Sequence, residues 1–170
     1  TILGGVGGLF AGNSVSNPIY NDQLLDYGAL EQSFTKTDAY NIRAENVIPI
    51  RQAGSIRVKD NLSTSTETDW ERDFWRRRIA DRVILIGKTI GDTIIGRIND
   101  EQTRSAAARL IRAEIRELID DRLLKPNTDD ETNWYVDVYE DSANANEVNI
   151  DIGFTPYGIV KRVDETITIN

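Results

Sequence analysis

The chain has 170 residues, with 28 acidic and 20 basic side chains and no His, Cys or Met. That length suits one domain with one core, and 39% apolar with 28% charged residues is a globular rather than a disordered composition. Without Cys or His there are no disulfides, thiolate or imidazole ligands, or cysteine nucleophiles, so any enzyme here must work with carboxylates, hydroxyls, Lys or Arg.

The acidic residues divide into 17 Asp and 11 Glu, the basic ones into 15 Arg and 5 Lys. An Asp-rich, Lys-poor chain fits a high-salt cytoplasm, where carboxylates keep the surface hydrated; ordinary acidity from a GC-rich genome fits equally. A net charge of −8 argues against a nucleic-acid partner, which needs a basic footprint. The charge is uneven. Residues 69–95 and 101–125 are each at +1, residues 1–68 at −2, and residues 127–170 hold −8. A chain starting at Thr1 without Met is expected to be processed or part of something longer. It opens with no signal-peptide pattern and has no apolar run of the roughly 20 residues a bilayer requires, so a soluble protein is expected.

In chain order, residues 1–11 combine Ile2, Leu3, Val6, Leu9 and Phe10 with four glycines and suggest a closely packed strand. Asn17-Pro18 marks a loop. Thr37 and Asp38 are placed to cap a short helix running through Glu45, with Asn46 at its closing position. Val47, Ile48 and Ile50 form a strand that Pro49 limits, and Ile56 and Val58 alternate with Arg57 and Lys59 as its hairpin partner. Residues 61–68 are a polar loop.

Two long helices follow. Asp69 is the expected cap of the first, in which Trp75, Ile79, Val83, Ile86, Ile90 and Ile94 recur every three or four residues. Gly87 and Gly91 interrupt this helix at about 1 kcal/mol each unless something packs closely against them. Asn99-Asp100 caps the second helix; Ala107, Ile111, Ile115, Leu118 and Leu123 form its buried side, and Pro126-Asn127 ends it. The rest alternates as strands: Trp134, Val136 and Val138, then Val148, Ile150, Ile152 and Phe154, with Asp141 to Asn146 as the hairpin loop. Residues 159–170 close the chain with Ile167 and Ile169. The expected fold is α+β, two long helices packed on a mixed sheet, in a single domain.

Few motifs carry chemistry. Gly87-Lys88-Thr89 lacks the earlier glycine of a phosphate loop, since Arg82 stands there, and it lies within the apolar helical stripe. The Gly-rich opening lacks a dinucleotide fingerprint's third glycine. Asp129, Asp130 and Glu131, and Glu140 with Asp141, lack calcium-loop spacing and suit solvated turns. No catalytic, cofactor or metal-binding residue is singled out. Arg76, Arg77 and Arg78, with Arg72 and Arg82, form the most cationic stretch; it suits a solvated helix face paired with Asp69, Asp73 and Asp81, or a docking surface for an acidic partner. The final alternating strand suits either its own sheet or a neighbour's open edge.

The order of these elements resembles the C-terminal core domain of contractile tail sheath proteins, found in contractile-tailed viruses, tailocins and related injection systems. GGVGGLFAG at 4–12 resembles the small-residue segment opening that domain. NVIPIR at 46–51 resembles its G-I-N-x-I-R strand, and GSIRV at 54–58 the strand after it. Trp70 with Phe74, Trp75, Arg76, Arg77 and Arg78 resembles the W-x-Y-x-x-V-R-R start of its long helix. Asn99-Asp100 resembles the P-N-D between its helices, and residues 148–154, Pro156 and 167–169 resemble its closing strands.

The resemblance implies a structural role without catalysis or cofactor. It implies a subunit that polymerises helically around an inner tube protein, meets baseplate and terminator proteins, and drives tube ejection by contraction. It places the protein in a virion tail or contractile particle assembled in the host cytoplasm, without direct membrane insertion. Residues 163–170 are the expected arm, with Glu165, Thr166, Ile167, Thr168, Ile169 and Asn170 as the donated strand. Arg76, Arg77 and Arg78 are candidates for facing the tube or a neighbouring subunit. The family's N-terminal arm and outer domain have no counterpart in these residues, which suggests a piece of a longer chain. The second reading is a baseplate or tube-associated adaptor, and the third a carboxylate-dependent hydrolase.

Overall fold

The computed structural model describes residues 35–45, 47–53, 55–58 and 73–158, with positions 8, 9, 11, 12, 15 and 19. They fall into two compact units, Thr1–Arg77 with Gly158–Asn170, and Arg78–Tyr157.

In the first unit, the cap of helix α1 (Lys36–Ala44) stands two residues before the expected Thr37. Thr35 is the cap: its hydroxyl accepts from the Asp38 N–H at 3.2 Å, and the Asp38 carboxylate accepts from the Thr35 N–H at 2.9 Å. Asp38 therefore closes a capping box three residues into the helix, satisfying two donors at once. Strands β1 (Ile50–Ala53) and β2 (Ser55–Val58) pair antiparallel, with Ile50 opposite Val58. Pro49 precedes β1 instead of interrupting it, as expected of a residue with no N–H to give a ladder. Ile19, Ile56 and Val58 are buried together, and Leu9, Ile48 and Ile50 pack against them. Gly8, Leu9, Ala11 and Gly12 are helical, which corrects the strand expected over residues 1–11. Val6, Leu9 and its neighbours also fit a helical period, and a short apolar run does not separate the two.

Helix α2 (Phe74–Ile94) begins in the first unit and continues into the second. The carboxylate of buried Asp73 accepts from the N–H groups of Trp75 and Arg76 at 3.1 and 3.4 Å, so Asp73 caps this helix; the expected cap, Asp69, lies outside the described residues. The Trp75 indole N–H donates to the Val15 carbonyl at 2.8 Å within the first unit.

In the second unit, Ile79, Val83, Ile86 and Ile90 of α2 are buried, as are Ala107, Ile111, Ile115 and Leu118 of α3 (Glu101–Asp120). Asp100 caps α3 by accepting from the Thr103 N–H at 2.7 Å. The helix stops before Pro126 because Arg122 turns left-handed at φ 59°. The N–H groups of Leu123 and Arg122 then return to the carbonyls of Leu118 and Ile119, both at 2.9 Å, and Leu123 and Leu118 are buried together. Among the described residues no helix is long and apolar enough to cross a membrane.

Strands β3 (Trp134–Glu140) and β4 (Val148–Phe154) pair antiparallel, Trp134 opposite Phe154 through Glu140 opposite Val148. The α+β class holds, but among the described residues the expected mixed sheet is instead two separate antiparallel hairpins. The short connection within each hairpin explains its antiparallel pairing, because a parallel pair needs a crossover of a dozen or more residues. Residues 159–170, with the expected arm, lie outside the described residues.

Candidate assembly surfaces

Polar side chains tie the hairpin to the turn between the long helices. The Asn99 amide donates to the Ala145 carbonyl at 2.6 Å, and its oxygen accepts from Arg104 at 2.7 Å. The same guanidinium reaches the Glu140 carboxylate at 3.1 Å. Asp141 organises the loop, accepting from the N–H groups of Ala143 and Asn144 at 2.8 and 3.0 Å and from the Asn149 amide at 2.9 Å. Asn99-Asp100 thus does two jobs, capping α3 with one residue and anchoring the hairpin with the other.

The hydrogen bond from Asn149, then those from Ala143 and Asn144, hold the Asp141 carboxyl below its ordinary value. The Thr103 N–H does the same for Asp100. A depressed carboxyl stabilises the folded state above its unfolded value, near pH 4, and loses that contribution as pH falls through the folded value. Wild-type protein should therefore melt above Asp141→Asn at pH 7, and the margin should shrink as the pH falls below the ordinary carboxyl value, near 4. A margin unchanged in melting curves across that range would refute this role for the charge.

The larger feature lies on the inner side of β4. Val148, Ile150, Ile152 and Phe154 all point inward yet remain half-exposed. A groove of about 580 Å³ runs between them and Val83, Gly87 and Gly91 of α2. A second hollow of about 340 Å³ shares Gly91, Val148 and Ile150 and extends past Ile95 and Ile98. Together they form a trough beside β4, apolar on its floor and bordered by Lys88, Asp92, Asp151 and Arg97; the second edge of β4 has no strand partner among the described residues. Ile84, Ile95 and Ile98 on its margin are 62%, 77% and 80% exposed.

Gly87 and Gly91 set its depth. A Cβ on Gly87 would stand 3.2 Å from Ile152 Cδ1, and one on Gly91 3.3 Å from Ile150 Cδ1. The close packing that two helix-interior glycines demand is therefore the approach of β4. The trough itself was not legible, since it requires residues near 87 and near 150 to meet.

The two sets of predicted docking residues fare differently. Glu165, Thr166, Ile167, Thr168, Ile169 and Asn170 lie outside the described residues. Arg76, Arg77 and Arg78 sit in the first turns of α2, but only Arg77 is exposed; Arg76 and Arg78 are half-buried. Consecutive helical positions are about 100° apart, so the three do not share one face. The Arg76 guanidinium lies against Gly158, where a Cβ would come within 2.9 Å of Nη2, and its Nε is buried without a hydrogen-bond partner. Gly87-Lys88-Thr89 is helical, and Asp129, Asp130 and Glu131 are exposed. Among the described residues no three His, Cys, Asp or Glu side chains gather closely enough to hold a metal ion.

No protein-family profile and no curated protein matches the chain. Solved structures do. A chain of the anti-feeding prophage (AFP) baseplate superposes with a TM-score of 0.83 at 17% identity, over 99% of this chain and 49% of that one. The AFP helical sheath in its contracted state gives 0.80 at 18% identity, over 98% and 49%. The contracted sheath complex of PVC, an extracellular contractile injection system, gives 0.79 at 13%, over 94% and 47%. The chain spans about half the length of these proteins. It has the fold of contractile injection-system sheath proteins.

Proposed function

We propose that this chain is the core of a contractile-sheath subunit, which polymerises helically around an inner tube and drives its ejection by contraction. The observation that carries this is the fold shared, over nearly the whole chain, with sheaths of two contractile injection systems. The role is structural, without catalysis. Its partners are further copies of itself, the inner tube protein, and the baseplate and terminator proteins, in a tail or contractile particle assembled in the host cytoplasm. Arg77, with Arg76 and Arg78 behind it, is a candidate for meeting the tube or a neighbour.

Copies are joined by strand donation: residues 163–170 of one copy enter the trough of the next and pair with the open edge of β4. Three features support that occupant. The segment has eight residues, β4 has seven, and its alternation puts Val163, Glu165, Ile167 and Ile169 on one face. The trough is lined mainly by apolar side chains, Val83, Val148, Ile150, Ile152 and Phe154, which suit the isoleucines, with Lys88 among its charged residues beside Asp92 and Asp151. Backbone ladder bonds persist while side-chain contacts change, as a sheath that contracts without dissociating requires.

The test is electron microscopy of the purified chain beside a version lacking residues 163–170. The full chain should form long tubes, and the truncated one should stay a folded monomer by circular dichroism and sedimentation. Tubes of normal length from the truncated chain would rule out the arm. A full chain that never polymerises would sink the sheath assignment. The match to a baseplate chain favours one second reading, a baseplate component, which predicts closed rings in place of long tubes.

A further inference from the structure

The outer face of the β3–β4 hairpin, opposite the trough, carries an arrangement that a solitary chain does not need. Asp137 and Asp151 are directly opposite each other across the two strands, both exposed. Like charges so placed destabilise a sheet. Tyr135 and Tyr139 flank Asp137 on the same face, 48% and 46% exposed. Tyr135 is held in place: its ring lies over Gly153, where any Cβ would collide, and its hydroxyl donates to Asp151 at 3.2 Å. Residues 126–160 contain eight carboxylates and no Lys or Arg, so the hairpin supplies no cation of its own.

The matching surface is on the same chain. Helix α3 exposes Arg109 and Arg116, seven residues apart and hence on one face about 10.5 Å apart. Among the described residues neither guanidinium has a hydrogen-bond or ion-pair partner, whereas Arg112 beside them donates to the Val136 carbonyl at 2.8 Å. Leu110, 54% exposed, and Ala113 lie between them. Tyr135 and Tyr139 are about 13.6 Å apart along their strand, a comparable span.

We propose that the Tyr135–Asp137–Tyr139 face of one copy docks on the Arg109–Arg116 face of α3 in the next. The guanidinium groups bind the Asp137–Asp151 pair and stack on the tyrosine rings, while Leu110 meets aromatic surface. A planar, weakly hydrated cation suits this face, which has two carboxylates between two aromatic rings and no third acid to complete a metal site. The contact joins two different faces, so it propagates and does not close on itself as a two-fold dimer would. It rests on the polymer reading above, which supplies the second copy; it uses the other face of the hairpin, with Asp151 also bordering the trough, so the Arg109–Arg116 variant and the rescue on mixing separate this contact from strand docking.

The test uses two full-length variants, Asp137→Arg/Asp151→Arg and Arg109→Asp/Arg116→Asp. Each alone presents like charges to itself, and the concentration needed for assembly should rise about tenfold or more. Mixed in equal amounts they present opposite charges in both directions and should assemble near the wild-type concentration. A milder pair, Asp137→Asn/Asp151→Asn, removes the repulsion within the hairpin, so the monomer should melt no lower than wild type while assembly weakens. Light scattering and electron microscopy read the assembly, and circular dichroism reads the fold. Wild-type filaments unaffected by the reversals, or no rescue on mixing, overturn this contact and leave the sheath reading standing. A wild-type chain that stays monomeric overturns both.

Discussion

Ile111→Ala should lower the stability of the chain by about 2–5 kcal/mol, and Ile111→Val by about 0.5–1.5 kcal/mol. Ile111 is fully buried on α3, with Ile115 and Leu118 on the same helix and Ile79, Val83 and Ile86 of α2 buried in the same unit. Removing most of its side chain forfeits transfer free energy and leaves a cavity that two long helices, fixed by their caps, close only in part. A domain's whole margin is about 5–15 kcal/mol, so the Ala variant sits near the edge of folding. For a unit the size of Arg78–Tyr157, each kcal/mol moves the melting midpoint by about 4–8 °C, so the midpoint should fall by at least ~8 °C. Urea or thermal melts of both variants measure this. A fall of only a degree or two for Ile111→Ala would mean that the core of the second unit is not organised around α3. The exposed Leu110, next in sequence, is the control, and its loss should cost little.

Ile111 also illustrates what the sequence makes legible. The recurrence of Ile79, Val83, Ile86 and Ile90, and of Ala107, Ile111, Ile115 and Leu118, reports helix and buried face together, because one period sets both. The β3–β4 alternation is equally local. Caps were less certain, because several candidates stand close together. Thr35 prevails over Thr37 because only from Thr35 does Asp38 fall at the position that completes a capping box. Asp73 caps α2 from within the segment expected to be already helical. The glycine-rich opening misled because its apolar spacing fits two periods. Candidate surfaces were least legible. The trough needs α2 and β4 to meet across some 60 residues of sequence, and the outer hairpin face needs the register that sets Asp137 against Asp151. Its sequence trace was the acidic count of the last quarter of the chain, which says that a cation is missing without saying where.

Gly87 and Gly91 are where local cost and assembly are most directly opposed. Either glycine costs α2 about 1 kcal/mol of helix propensity relative to Ala. Gly91→Leu recovers most of that, since Leu is a good helix former. It also places a Cβ 3.3 Å from Ile150 Cδ1, and relieving that overlap costs about 1–3 kcal/mol. These terms nearly offset, so the monomer should melt within several degrees of wild type. The added isobutyl group has one place to go, the trough that residues 163–170 of a neighbour would occupy. Polymerisation should therefore fail while the fold persists, and Gly87→Leu/Gly91→Leu should be more severe. Gly91→Ala is the informative control: one methyl requires Ile150 to yield by a few tenths of an ångström and leaves most of the trough open, so tubes should still form. Negative-stain microscopy with a melting curve on each variant decides the matter. Tubes from the double Leu variant at the wild-type concentration would mean that the donated strand docks elsewhere, with β4 only the glycines' packing partner.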